Sequence, residues 1–194
     1  MNQSTPANRP ASANRPIPVN RPIALRAAAD ALANVGVTEE GGENRGKWVE
    51  IYQRATGNKP GDPWCASFVR YRFEAAARAL GLTLPPAMPD SGWSPAYWGW
   101  AQGAGIWLPV QAAQLEPHQV RAGDLACFWF AAKGRIAHIG IVVEPGKTWG
   151  AVTVEGNTGP ERGEEVNREG DGVYRKLRDW SELGARGGFV RINF

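Results

Sequence analysis

The sequence predicts an α+β fold in which N-terminal helices are followed by an antiparallel sheet. Two observations support this class: apolar residues recur at helical spacing in the first half of the chain, and they alternate in short runs in the second half. These strand-like runs follow one another without helical patterns between them, which favours antiparallel pairing over a parallel sheet with crossover helices. With 194 residues, the chain is long enough for one domain with a full hydrophobic core.

The first 22 residues predict a flexible basic tail. They contain three Asn-Arg-Pro repeats, which carry Arg9, Arg15 and Arg21 without any acidic residue. Each repeat ends in proline, which blocks helix formation. We therefore expect residues 1–22 to be a tail or linker, with an electrostatic tether as the sharper alternative, and residues 23–194 to form the folded domain.

Three helices are predicted before the chain reaches residue 81. The first covers PIALRAAADALANVG, with proline at its start and glycine past its end. The second lies within NRGKWVEIYQRATG, and the third begins at Cys65 and has apolar residues three and four positions apart. A fourth, short helix is expected around Ala96–Gln102, inside a segment rich in tryptophan and glycine.

The second half of the chain predicts a five- or six-stranded antiparallel sheet. In its histidine strand we expect Ile136, His138, Gly140 and Val142 to share one face. A glycine two positions from the imidazole should leave space there for another backbone or a substrate. The predicted strands, separated by turn residues, are DLACFWF, RIAHIGIVVE, WGAVTVEGN, GVYRKLRDW and GGFVRINF.

Composition excludes several classes of function. The net charge of +3 gives only a modest attraction to polyanions, and the scattered Lys and Arg residues match no nucleic-acid motif, so we expect no nucleic-acid partner. No apolar run approaches the roughly 18 to 20 residues of a membrane span. The N-terminus also lacks the apolar segment of a secretory signal, so synthesis in a cytoplasm is expected.

The cysteine and histidine content argues against a disulfide framework and a metal centre. The chain has two cysteines, and Cys127 lies inside the apolar run LACFWF, which is typical of a buried strand. No paired Cys-x-x-Cys motif is present, and His118 and His138 are the only imidazoles. We therefore expect no metal and no cofactor.

Four residues together predict nucleophilic catalysis by a thiol. Cys65 lies at a helix start, where unpaired N–H groups and the helix dipole favour a thiolate. His138 projects from a strand, and Glu155 and Asn157 lie on the next strand, in an EGN segment. Each residue alone is more often structural, but a helix-terminal thiol, a strand imidazole and a neighbouring carboxylate or amide are the groups that acyl transfer through a thiol requires.

The order and local sequence of these segments resemble the CHAP family of cysteine, histidine-dependent amidohydrolases and peptidases, relatives of papain-like and NlpC-type enzymes. The matching segments are PWCASFV, RAGDLACFWF, AHIGIVVE and VEGN, and the resemblance covers roughly residues 24–194. It implies a papain-like fold and a peptidoglycan hydrolase that cuts either the sugar-to-peptide amide or a peptide bond of the stem or cross-bridge.

The resemblance also implies a role for each site residue. Cys65 would be the nucleophile, His138 the base, Glu155 the group that orients the imidazole, and Asn157 a second polar partner. The oxyanion hole would use the Cys65 backbone N–H and an upstream side chain that the sequence does not identify. Some CHAP domains bind calcium before the nucleophile, but the corresponding loop offers only Asp62, so no calcium is expected here.

Three tryptophans are predicted to contact the substrate: Trp64, Trp93 and Trp98. Aromatic rings stack on sugars, although most rings in the Trp93–Trp107 segment are expected to pack in the core.

The leading hypothesis for the biological role is a monomeric, phage-type endolysin that reaches the bacterial cell wall after release. Two alternatives stay open, a secreted antibacterial amidase effector and a non-catalytic module that binds cell wall or carbohydrate. The sequence does not identify the bond cut, the peptidoglycan type or the target organism.

Overall fold

A computed structural model describes residues 21–160 and 170–194, and in these residues helices pack on an antiparallel sheet. The predicted tail lies outside the described residues up to position 20. The helices are α1 (Pro22–Leu32), α2 (Lys47–Arg54), α3 (Cys65–Ala79), α4 (Ser94–Gly103) and α5 (Val110–Leu115). The strands are β1 (Trp107–Pro109), β2 (Leu125–Phe130), β3 (Arg135–Lys147), β4 (Gly150–Thr158), β5 (Gly172–Asp179) and β6 (Gly188–Val190).

The sheet has the order β1-β6-β2-β3-β4-β5, and every neighbouring pair is antiparallel. Strands β2 to β5 form the predicted meander, whereas β6 returns to the far side of β2 and carries β1 at the edge. The α+β class and the antiparallel sheet, predicted with five or six strands, are therefore confirmed, and the sheet of the described residues has six. Strand β1 and helix α5 were not predicted, because runs of three and six residues are too short to show a periodicity.

The two faces of the sheet pack against different elements. Helices α1, α3 and α4 cover one face, where alanines of α1 allow a close approach to Phe73 and its neighbours on α3. Helix α5 and the short helical turn Trp180–Leu183 cover the other face, around Phe128 and Phe189. The sheet therefore forms the middle layer of the described structure, with the N-terminus of α3 close to β3 and β4.

The structure contradicts the predicted face of β3 at Ile136. Phe128 pairs with His138 but Trp129 pairs with Ile136, so the register shifts and leaves Ala137 as an extra residue. Such a bulge reverses the alternation of side chains. Ile136 consequently packs in the helix-facing core with Ile139, on the opposite side from the prediction.

The N-terminal boundary of the fold also differs from the predicted one. Arg21 was assigned to the tail, but it is only 5% exposed and donates hydrogen bonds to Asp124 and to the Ile192 carbonyl. Pro22 is the first residue of α1. The third Asn-Arg-Pro repeat therefore ends inside the folded structure, because its arginine has a buried acidic partner.

Candidate active site

Cys65 is the first residue of α3, as the sequence predicted. Trp64 precedes it as the N-cap residue, and helical geometry leaves the first N–H groups without partners inside the helix. The Cys65 residue is 6% exposed and lines an open groove of about 420 Å³. The thiol is therefore shielded on most sides but can be reached from the groove.

His138 lies on β3 and is fully buried. Its Nε2 atom and the Glu155 Oε2 atom are 2.8 Å apart, so the carboxylate fixes one side of the imidazole. The Nδ1 atom makes no hydrogen bond of ideal geometry, whereas Cys65 interacts with the imidazole and favours its charged form. Thiol–imidazole hydrogen bonds are often poorly aligned in ligand-free active sites and tighten when substrate binds.

Glu155 is fully buried on β4, and both of its oxygen atoms are occupied. Arg178 on β5 donates from Nε to Oε1 at 2.8 Å and from Nη2 to Oε2 at 2.6 Å. Thr153 adds a hydroxyl donor to Oε1 at 2.6 Å. The carboxylate is therefore held from three directions, by His138, Arg178 and Thr153.

The charges of this cluster are mutually dependent. Burial lowers the pKa of His138, but hydrogen bonds to Cys65 and Glu155 and the Glu155 charge outweigh burial and raise this pKa to about 9. Burial would raise the pKa of Glu155, yet the Arg178 charge and hydrogen bonds hold it well below its usual range. The surroundings therefore favour the charged forms of the imidazole, the carboxylate and the guanidinium.

Gly140 admits the neighbouring strand β4, which is the backbone alternative of the prediction and not the substrate one. A Cβ atom at this position would lie 2.5 Å from the Glu155 Cγ atom. The space beside the imidazole is therefore filled by the Glu155 side chain and is not available to a substrate.

Asn157 contacts the start of α3 and makes no hydrogen bond to the imidazole. Its Oδ1 atom accepts a hydrogen bond from the Trp64 backbone N–H at 2.9 Å, and its Nδ2 atom donates to Asn44 and to the Gly170 carbonyl. Its backbone has a φ of 58°, in the left-handed region that asparagine tolerates better than most residues. In this structure Asn157 positions the start of α3.

The groove next to Cys65 has both polar and apolar walls. The carboxylates Asp62 and Asp90 and the guanidinium of Arg135 lie along it, and Trp93 is 59% exposed at its edge. The groove can therefore offer groups of both charges and one aromatic surface to a ligand.

Two of the three tryptophans predicted to bind substrate lie elsewhere. Trp64 is a correction, since it is fully buried, stacks on Tyr52 and donates from its indole to Glu39 at 2.9 Å. Trp98 is partly buried and packs edge-to-face on Trp129. Of the three, only Trp93 lines the groove.

Sequence reasoning missed Arg178. The residue belongs to the predicted strand GVYRKLRDW, but its partner depends on the pairing of β5 with β4, which a single sequence does not show. The available signal was an arginine in an alternating strand, and this pattern is more often a solvated position.

The structure indicates a local role for the one carboxylate of the pre-cysteine loop. Asp62 Oδ2 accepts a hydrogen bond from the Lys59 backbone N–H at 2.8 Å, which closes the turn before Cys65. Within residues 21–160 and 170–194, no cluster of three or more His, Cys, Asp or Glu side chains could hold a metal ion.

Comparison with known proteins gives no relative on which to base an assignment. No family model matches the chain, and no curated protein or solved structure matches it significantly. None of the helices in the described residues is long and apolar enough to cross a bilayer.

Proposed function

We propose that this chain is a CHAP-type cysteine amidohydrolase or peptidase with a papain-like active site, and that it hydrolyses an amide bond of bacterial peptidoglycan. The observation that carries the proposal is the placement of Cys65 at a helix start and at the wall of an open groove, beside an imidazole that Glu155 fixes from behind at 2.8 Å. This arrangement supplies a nucleophile, a proton carrier and an orienting carboxylate.

In the acylation step, the Cys65 Sγ atom attacks the carbonyl carbon of the substrate amide. Because the cluster favours the imidazolium, His138 Nδ1 already holds the thiol proton when Sγ attacks as a thiolate, and the negative charge that develops on the carbonyl oxygen is stabilised by the Cys65 backbone N–H at the positive end of α3. When the C–N bond breaks, the imidazolium gives its proton to the leaving nitrogen. The products are a free amine and a thioester on Cys65.

In the deacylation step, a water molecule attacks the thioester carbonyl carbon. His138, now neutral, accepts a proton from this water, and the C–S bond breaks to release a carboxylic acid and restore the thiolate–imidazolium pair. Glu155 stays ionised in both steps, since it has no proton to give and its role is to hold Nε2–H.

The groove and the charge of the chain support a wall polymer as substrate. Peptidoglycan combines sugars with peptides that carry carboxylate and amine groups, and the groove presents Asp62, Asp90 and Arg135 close to the nucleophile. The exposed ring of Trp93 is suited to stacking on a sugar face. A net charge of +3 favours encounter with anionic wall polymers. An endolysin role fits these features.

The proposal is tested by replacing the nucleophile. Cys65→Ser and Cys65→Ala should reduce the release of fragments from purified peptidoglycan by several orders of magnitude, on the order of 10⁶-fold for a triad nucleophile. The matched control is Cys127→Ser, which replaces a fully buried core thiol whose pKa is raised by burial. This control should lose some stability but keep its turnover.

Mass analysis of the released fragments identifies the bond that is cut. Full activity of a folded Cys65→Ala variant would overturn the assignment of the nucleophile. If neither the wild-type chain nor the Cys127→Ser variant releases fragments but both bind the polymer, the chain is a binding module.

A further inference from the structure

The buried guanidinium of Arg178 has a role that the three-residue scheme of thiol, imidazole and carboxylate does not include. Its side chain is 2% exposed, and two of its nitrogen atoms contact both oxygens of Glu155. Its third nitrogen donates to Glu182 Oε1 at 2.8 Å, and its Cζ atom lies 5.2 Å from the Phe128 ring centre. The guanidinium is therefore held between two carboxylates and one aromatic ring.

We infer that Arg178 is a positioning residue that keeps the Glu155 carboxylate ionised and aligned toward His138 Nε2, so that the other imidazole nitrogen faces Cys65. This inference rests on the proposed thiol mechanism, but its test uses thiol chemistry alone. Arg178 does not line the groove, and it acts on the site through its contact with Glu155.

A buried carboxylate needs such a partner. Removing an ionised carboxylate from water is strongly unfavourable, and a buried carboxyl without an opposite charge takes up a proton instead. Glu155 is fully buried, and the groups that face it are His138 from β3, Arg178 from β5 and the Thr153 hydroxyl on its own strand. Arg178 is the only permanently charged cation among these.

The paired hydrogen bonds of the guanidinium also fix the orientation of the carboxylate. Two parallel N–H···O bonds fix the plane of a carboxylate, which one bond or a lysine ammonium does not do. With the plane fixed, Oε2 lies 2.8 Å from His138 Nε2. If Glu155 became protonated, Oε2 or Oε1 would carry a hydrogen, and the imidazolium would lose its charge partner.

The experiment measures the rate at which iodoacetamide alkylates Cys65 as a function of pH. It uses a Cys127→Ser background, so that Cys65 is the only thiol that can react. In Arg178→Met, Glu155 should take up a proton at higher pH, and the acid limb of the alkylation rate should move up by about one to three pH units. Arg178→Lys should move it less, because the charge is kept while the paired geometry is lost. The matched control is Arg175→Met on the same strand, where a half-exposed arginine pairs with Glu144, and it should leave the limb in place.

A double-mutant cycle with Glu155→Gln isolates the path of the effect. The Glu155→Gln variant has no titrating carboxyl at this position, so adding Arg178→Met to it should shift the acid limb no further. An equal shift in both backgrounds would overturn the inference, since Arg178 would then act on the thiol independently of Glu155. If Arg178→Met does not fold, as circular dichroism would show, the Arg178→Lys arm decides: an unchanged limb in that folded variant contradicts the role.

This test separates the two proposals. A shifted alkylation limb in a protein that releases no peptidoglycan fragments would support the Arg178 role and refute the peptidoglycan substrate. If the chain instead releases peptidoglycan fragments but Arg178→Met leaves the pH dependence of alkylation unchanged, the peptidoglycan substrate is supported and the Arg178 role is refuted.

Discussion

His138 is fully buried, and yet the residues around it favour its charged form. The imidazolium is stabilised by the Glu155 carboxylate, which Arg178 in turn keeps ionised. Burial strengthens these interactions because water does not screen them. The site thus contains an alternating series of charges that ends, on the groove side, at the Cys65 thiol.

In the proposed mechanism, the pH dependence of hydrolysis follows from the His138 pKa. The leaving nitrogen needs a proton from the imidazolium, so kcat/KM should fall as pH rises through about 9, where His138 loses its charge. Because this pKa is raised above its ordinary value, the charged form stabilises the fold fully below about pH 6.5, and this contribution is lost as pH rises through about 9. Activity and thermal unfolding measured from about pH 5 to about pH 10 check both statements.

Replacing Glu155 should move the alkaline limb of the pH profile, which is the fall in kcat/KM at high pH. Glu155→Gln removes the carboxylate charge that raises the His138 pKa, so the limb should shift to lower pH by about one unit or more. Glu144→Gln on the neighbouring strand is the control, since Glu144 is half-exposed and pairs with Arg175. An alkaline limb that stays at about pH 9 in Glu155→Gln would show that the Glu155 charge does not set the His138 pKa.

At the scale of elements, the EGN segment of β4 locks the start of α3 against the sheet. A Cβ atom on Gly156 would lie 2.6 Å from the Trp64 ring and 2.9 Å from Phe68 Cβ, so only glycine permits this approach. Asn157 then accepts the Trp64 N–H at 2.9 Å. The three consecutive residues thus orient the imidazole, admit the helix and fix its first turn.

Gly156→Ala should therefore damage both stability and catalysis. The added methyl group must displace Trp64 or Phe68, at a cost of about 1–3 kcal/mol in the free energy of unfolding. Any shift of α3 also moves Cys65 relative to His138, which should lower kcat more than it raises KM. The control is Gly99→Ala on α4, where nothing lies within 4 Å and the helix should gain slightly in stability. Urea unfolding and steady-state kinetics on both variants measure the two effects.

Long periodic elements were predictable from sequence, and features that depend on pairing were not. The start of α3 at Cys65 follows from the helical spacing of its apolar residues. The bulge at Ala137 and the contact of Arg178 with Glu155 require the register of neighbouring strands, which no local pattern contains. The burial of Trp64 was missed because an aromatic residue beside a predicted nucleophile suits a groove and a core equally well.

At the scale of the whole molecule, a buried ion pair and the hydrogen bonds around it join the start of the first helix to the last residues of the chain. Arg21 precedes α1 and contacts Asp124, which comes just before β2, as well as the Ile192 carbonyl near the C-terminus. Asp124 also accepts the Ile192 backbone N–H at 3.1 Å, and Ala24 donates to the Phe194 carbonyl at 3.0 Å. The ion pair and these hydrogen bonds connect the first helix to the central strands and to the last residues of the chain.

Arg21→Ala should destabilise the protein by about 3–5 kcal/mol near neutral pH, because it leaves Asp124 buried without its counter-ion. Burial, opposed by Arg21, raises the pKa of Asp124 to about 6, and without Arg21 this pKa should rise further. The folded variant then binds a proton more readily than its unfolded chain, so the loss of stability should be smaller at about pH 5 than at about pH 8. Arg15→Ala, in the same Asn-Arg-Pro sequence of the predicted tail, is the matched control and should leave the unfolding midpoint unchanged. Equal unfolding midpoints for the two variants would show that the Arg21–Asp124 ion pair does not stabilise the fold.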